Sequence, residues 1–219
     1  MKKTLACILL LGLLLTCAAC GGSPEQTPPS ATAAPQQDAA PAPEQPAAEP
    51  IETEAAPAEP SSHSTVLVVY FSATGNTRQL AERIAALTGG DLAEIIPAQP
   101  YTAEDLNYNS SGTRATLEQN DPDARPEIAN SISLEGYTTV YLGYPIWWGQ
   151  APRILSSFVE SHDFTGITVI PFCTSGSSGA GSTGETLGEQ AGTGTFLSST
   201  RLSTGISDVD LQDWIDSRS

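Results

Sequence analysis

Lysine is almost missing from this chain: Lys2 and Lys3 are the only two, and no ammonium side chain follows them. A Gly-x4-Gly-Lys-Ser/Thr loop is therefore excluded, and with it triphosphate hydrolysis that relies on the loop lysine. Basic residues are scarce altogether, nine Lys and Arg against 25 Asp and Glu, for a formal net charge of −16. Such a chain repels nucleic acid and anionic lipid headgroups. Histidine is limited to His63 and His162. Neither is placed to serve as the base for a Ser72 or Ser175 nucleophile, so a serine hydrolase is set aside. Of the four cysteines, Cys7, Cys17 and Cys20 lie at the extreme N-terminus, which leaves Cys173 alone. That pattern supports neither a disulfide framework nor a metal site; Cys173 reads as a small buried residue at a strand end. Long apolar runs are lacking too. The longest, Leu5 to Leu15, falls short of the roughly 20 residues of a membrane span.

What stands at the front is a lipoprotein-type signal peptide, Met1 to Cys20. Two lysines, the short apolar run and Cys17-Ala18-Ala19-Cys20 supply its three parts. Lipidation is expected at Cys20, with Cys17 as the alternative acceptor, which would hold the protein on the outer face of a bacterial membrane. Residues 21–62 follow with ten prolines, seven acids, many alanines and no Lys or Arg. Such a stretch cannot bury enough apolar surface to offset its ordering entropy. It reads as a semi-extended tether, reaching on the order of 130 Å at about 3.1 Å per residue.

Residues 63–219 have the length of one domain. They carry seven Arg against eighteen Asp and Glu, a net charge near −11. Apolar runs and helical stripes alternate along them. Strands are expected at about Thr65–Phe71, Asp91–Ile96, Thr138–Gly143, Ile167–Phe172 and Thr195–Arg201. Helices are expected at about Asn76–Leu87, from Ala151 or Pro152 to Ser161, at Thr183–Gln190, and from an N-cap at Ser207 to Asp216. The stretch Tyr101 to Ser133 is less regular: Thr102 can cap a helix at Ala103, and a short helix is expected over Arg114–Gln119. Alternating β and α units imply an α/β fold, a doubly wound parallel sheet of five strands with helices on both faces. Ligands of such sheets bind beyond the carboxyl ends of the strands.

Three unusual loops leave from that edge. The first, Ser72 to Thr77, joins a buried strand to a helix start and carries three hydroxyls and Gly75. Free N–H groups and the helix dipole favour a phosphate there. The second, Pro145 to Gly149, puts Trp147 beside Trp148, where a planar ring can stack on one indole while the other serves the core. The third, Thr174 to Ser182, is built of small residues whose backbone N–H groups can reach the polar edge of such a ring. His162 follows the helix expected to end at Ser161, where a cation suits the dipole, and has no catalytic role.

Ser72-Ala73-Thr74-Gly75-Asn76-Thr77 resembles the phosphate-binding loop of flavodoxins, Thr/Ser-x-Thr-Gly-Asn-Thr. Pro145-Ile146-Trp147-Trp148-Gly149 and Phe172-Cys173-Thr174-Ser175-Gly176-Ser177-Ser178-Gly179 are similar to loops of a bacterial flavodoxin-like subfamily. The resemblance covers Val66 to about Ile215. It implies strand order 2-1-3-4-5 and FMN held without a covalent bond. Ser72, Thr74, Gly75, Asn76 and Thr77 would surround the phosphate. Pro145, Ile146, Trp147, Trp148, Gly149, Thr174, Ser175, Gly176 and Gly179 would border the ring. An electron carrier or a reductase of a quinone or other small acceptor would follow, with no catalytic acid or base; the alternative is a binding module of the same fold without redox activity. No twin-arginine pattern precedes the domain, so it would be exported unfolded and acquire FMN outside.

Overall fold

The apolar run Val66-Leu67-Val68-Val69-Tyr70 forms β1 (Val66–Tyr70), and its last four residues are buried. A strand that is apolar at every position has to be covered on both faces. Leu67 and Val69 enter one hydrophobic cluster, Val68 and Tyr70 the other. The computed structural model describes residues 64–218. The expected signal peptide, the tether and Cys20 lie outside the described residues.

β1 pairs in parallel with β2 (Asp91–Glu94) on one side and β3 (Thr139–Pro145) on the other. β3 pairs in parallel with β4 (Thr168–Thr174). The order is β2-β1-β3-β4-β5, with every pairing parallel, as the doubly wound reading requires. On one face lie α1 (Asn76–Thr88) and α5 (Asp208–Asp216), which pack Leu80, Ile84, Leu211 and Ile215 on the sheet. On the other lie α3 (Arg153–Glu160) and α4 (Thr183–Ala191), with Ile154, Leu155, Phe158 and Leu187. Each fully buried aliphatic side chain of this kind contributes about 1.5–3 kcal/mol. A short helix, α2 (Arg114–Asn120), sits between β2 and β3 in the chain.

The fifth strand differs from the single run expected. It consists of β5 (Thr195–Phe196) and β6 (Thr200–Arg201), both paired with β4. The register explains the break. Thr168 pairs with Thr195, but Phe172 pairs with Thr200, so one extra residue is accommodated between them. The carbonyl of Val169 accepts from Leu197 N–H at 2.9 Å. The next backbone donor on that side would be residue 171, which is proline and has none. The strand bulges there, and α4 closes over it at Gly184, where a Cβ would meet the Leu197 carbonyl oxygen at 2.7 Å.

Two smaller departures, the missing helix at Ala103 and the early end of β2, share one cause, side chains competing with the backbone. The helix expected at Ala103 is absent. Thr102 and Asp105 form a reciprocal pair instead, Asp105 Oδ2 accepting from Thr102 N–H at 2.9 Å and Thr102 Oγ1 from Asp105 N–H at 3.2 Å. That is a helix-capping arrangement with turns rather than a helix behind it. β2 ends at Glu94 because Ile96 N–H donates to Asn130 Oδ1 at 3.0 Å. α3 starts at Arg153, with Pro152 as the residue before it. α5 has the expected cap, Ser207 Oγ accepting from Asp210 N–H at 3.1 Å.

Candidate functional site

The chain turns out of β1 through Ser72-Ala73-Thr74 and reaches α1 by way of Gly75, whose φ of 86° is left-handed. A residue with a Cβ is disfavoured there. Ser72 Oγ accepts from Gly75 N–H at 3.1 Å, and Thr74 Oγ1 accepts from Asn76 Nδ2 at 3.3 Å. No side chain caps α1. The N–H groups of Ala73, Thr74, Asn76, Thr77 and Arg78 find no acceptor among the described residues. Five free donors on one turn, at the positive end of a thirteen-residue helix, form a cradle for an anion. Thr77 lies beneath it, 1% exposed, its hydroxyl 2.9 Å from that of Thr174 at the end of β4.

The second loop is a tight turn closed by two backbone bonds, Trp147 N–H to Gln150 O at 2.9 Å and Gln150 N–H to Trp147 O at 3.0 Å. Its central residues, Trp148 and Gly149, have φ of 48° and 77°, the type I′ signature. The two tryptophans part here. Trp147 is buried at 3% exposure, edge-on to Phe71 at 5.6 Å and Tyr101 at 5.0 Å. Trp148 is 38% exposed, with its ring centroid 4.6 Å from that of Tyr108. Trp148 holds a left-handed conformation that costs a non-glycine residue about 1–2 kcal/mol, and strain of this kind collects at ligand sites. Gln119 Nε2 ties the turn down, donating to the Trp147 carbonyl at 2.9 Å.

The third loop follows Thr174. Arg201 Nη2 donates to the carbonyls of Ser175 at 3.1 Å and Gly176 at 3.4 Å. Ser175 Oγ donates to the Ser178 carbonyl. The backbone N–H groups of Ser175, Gly176, Ser177, Ser178 and Gly179 have no acceptor among the described residues. Just below, Cys173 is buried, and burial pushes its thiol up to about 11; it is a packed, protonated side chain and no nucleophile. Tyr144, pushed up to about 12 by burial, bonds Thr183 Oγ1 at 2.9 Å and Ser199 Oγ at 3.0 Å.

A cleft of about 580 Å³ lies between these loops. Of the expected site residues, Thr74, Asn76, Pro145, Ile146, Trp147, Thr174, Ser175 and Gly176 line it. Ser72, Gly75, Thr77, Trp148, Gly149 and Gly179 do not. Ser72 and Gly75 shape the first loop, Thr77 lies under it, and Gly149 borders a smaller cavity by α3 and α4. Sequence reasoning missed Leu106 and Tyr108, from the irregular connection before α2, and Arg201 to Thr204, from the end of β6. The last group had a signal: the fifth strand also ends at the ligand-binding edge.

The fold and this cleft define a doubly wound α/β protein with an anion cradle and a cavity bordered by Tyr108 and Trp147 at the carboxyl edge of its sheet. The family model described as Flavodoxin matches residues 65–218, and the chain belongs to the flavodoxin family. Among solved structures it is similar to a protein of Bacteroides eggerthii DSM 20697 provisionally named a flavoprotein. The two share 41% identity over 70% of this chain and 96% of that one, with a TM-score of 0.66. A provisionally named flavoprotein of Bacteroides uniformis ATCC 8492 is 40% identical over 70% and 99% of the two chains, also with a TM-score of 0.66. A flavoprotein of Lactobacillus acidophilus NCFM, solved in complex with FMN, is 18% identical over 68% and 97%, with a TM-score of 0.50, and shares the fold. No curated protein matches the chain.

Proposed function

We propose that this domain binds FMN without a covalent bond in the cleft and serves as an electron carrier or as a reductase of a quinone or other small acceptor. The observation that carries the reading is the cradle before α1. Five unpartnered N–H groups surround a glycine turn, on a loop with no cation to hold a triphosphate. The family supports the ligand, and so does the FMN-bound neighbour of the same fold.

In this reading the N–H groups of Ala73, Thr74, Asn76, Thr77 and Arg78 and the Thr74 hydroxyl hold the phosphate. Pro145, Ile146 and Trp147 form one border of the ring site, with Thr174, Ser175 and Gly176 on another. The exposed pair Tyr108 and Trp148 supplies further aromatic surface. When bound, the flavin supplies the electron chemistry. The protein contributes binding, orientation and the electric field of an acidic surface. The leader and tether expected at residues 1–62 support an extracytoplasmic position, with the domain held to the membrane by lipid on Cys20.

The test is an absorbance spectrum of the purified domain with and without added FMN, followed by titration with FMN and riboflavin. A bound flavin band, with FMN held much tighter than riboflavin, is the expected result. Equal binding of the two removes the phosphate assignment. A protein that takes up neither leaves the fold as a binding module without flavin. Palmitate labelling of the full chain, lost in Cys20→Ala, tests the anchor.

A further inference from the structure

Seven arginines fall in the described residues, and four of them are neutralised by a carboxylate: Arg78 by Glu94, Arg83 by Asp208, Arg114 by Glu118 and Arg125 by Glu160. Arg201 is not. Among the described residues it is the one cationic side chain lining the cleft. Its partners are two backbone carbonyls of the third loop, at 3.1 and 3.4 Å from Nη2. Its Nε and Nη1 donors bond nothing among the described residues.

The position follows from the sheet. Arg201 pairs with Cys173 in β6, so the guanidinium rises from the strand beside the one that feeds the loop. Phe172↔Thr200 and Cys173↔Arg201 resume the pairing after the bulge opposite Pro171. Without that extra residue Thr200 would stand opposite Cys173, and Arg201 would project from the opposite face of the sheet. The bulge thus sets which side chain reaches the loop.

Planar trans peptides supply the consequence. The C=O of one residue and the N–H of the next point in opposite directions. With the Ser175 and Gly176 carbonyls turned to Arg201, the N–H groups of Gly176 and Ser177 are turned away from it. Those two donors have no acceptor among the described residues. A loop of Thr-Ser-Gly-Ser-Ser-Gly has little intrinsic preference for one peptide orientation, so an external clamp is needed to select it.

We infer that Arg201 is a positioning residue for the cleft: it clamps the Ser175 and Gly176 carbonyls so that the next two N–H groups face a ligand, and it raises the reduction potential of the FMN held there. The inference rests on the proposed binding of FMN. Reduction adds negative charge to the flavin, and a domain near −11 opposes it. One uncompensated guanidinium, together with aligned N–H dipoles, works against that field at the site itself.

The experiment compares wild type, Arg201→Gln and Arg201→Lys as FMN-loaded proteins. It reads the midpoint potential, the FMN and riboflavin dissociation constants, and the amide resonances of Gly176 and Ser177 before and after FMN. Arg201→Gln is expected to lower the preference for reduced over oxidised FMN at least tenfold, about 30 mV for a two-electron couple. The Gly176 and Ser177 amides, shifted by FMN in the wild type, should shift less in this variant. Arg201→Lys, which keeps the charge and loses the fork, should restore most of the potential. An Arg201→Gln protein with wild-type potential and wild-type amide shifts overturns the inference and leaves FMN binding standing. If Arg201→Gln does not fold, Arg201→Lys decides: unchanged amide shifts on FMN addition overturn the clamp. A wild type that takes up no FMN overturns the proposed function, and this inference with it.

Discussion

The hydroxyls of Thr77 and Thr174, 97 positions apart in the chain, lie 2.9 Å from each other in the buried floor of the cleft. Thr77 is the second residue of α1 and Thr174 the last of β4, so this one bond ties the phosphate-type loop to the loop that follows β4. Both side chains are buried, at 1% and 6% exposure, which makes each hydroxyl depend on the other.

Thr77→Val is therefore expected to lower stability by about 1–3 kcal/mol, because it leaves the Thr174 hydroxyl buried and unpaired. Thr174→Val should do the same. The double valine variant should cost clearly less than the sum, since two apolar groups of matching shape replace two matched hydroxyls. Urea unfolding of the four proteins in a double-mutant cycle measures the coupling. Additive losses would show that the bond contributes nothing.

Thr74→Ala removes a hydroxyl that lines the cleft without touching the core. FMN affinity should fall about ten- to a hundredfold, on the scale of 1.5–3 kcal/mol for a hydrogen bond to a charged group. Riboflavin affinity, measured by fluorescence titration, should stay within about twofold of wild type. A parallel loss for both ligands would place Thr74 away from the phosphate.

Trp148→Asn creates Asn-Gly in a turn whose two central residues have φ of 48° and 77°. Asparagine tolerates that conformation far better than tryptophan. The apoprotein should gain on the order of 1 kcal/mol in thermal or urea unfolding. Loss of the exposed indole beside Tyr108 should at the same time speed FMN dissociation, read by stopped-flow fluorescence. Faster release with greater apoprotein stability is the combination expected.

Acid should destabilise the domain through specific carboxylates. A hydrogen bond from Arg125 holds Glu160 below the usual range, and Thr102 N–H and hydroxyl do so for Asp105. Hydrogen bonds from Thr165 and Ser198 lower Asp163 and Glu185. A carboxyl whose folded value is depressed stabilises the fold above its unfolded value, near 4, and that contribution is lost as pH falls through the folded value. Urea midpoints should hold between about pH 7 and pH 5 and fall below about pH 4. Glu160→Gln should flatten part of that decline.

The cradle was legible because it is local. Ser72 to Thr77 sits between an all-apolar strand and an amphipathic stripe, and adjacent residues in a strand–turn–helix reach their geometry from their own backbone preferences. The helix over Asn76–Thr88 and the cap at Ser207 were legible for the same reason. Asp105 was not, because its bonds to Thr102 satisfy the turn without building a helix. The roles of the tryptophans were not divided by sequence either. Trp147 and Trp148 are chemically identical, and the choice of which indole enters the core comes from the left-handed residue at the tip of the turn.

The break in the fifth strand shows the division most clearly. Pro171 is visible in the sequence, but the donor it lacks matters only once β4 lies beside Leu197. The shift of one residue then sends Arg201 to the loop after Cys173, among residues remote in sequence. Alternation of apolar runs and helical stripes determined the doubly wound sheet, and the hydroxyl-bearing turn Ser72 to Thr77 determined the anion cradle, because these depend on contacts between near neighbours and on burial of both strand faces. The pairing of Thr77 with Thr174, the indole facing solvent and the guanidinium at the cleft were decided by tertiary structure. The first and the last depend on register between strands far apart in the chain, which local preference does not encode, and the indole depends on which of two identical side chains the turn leaves facing the core.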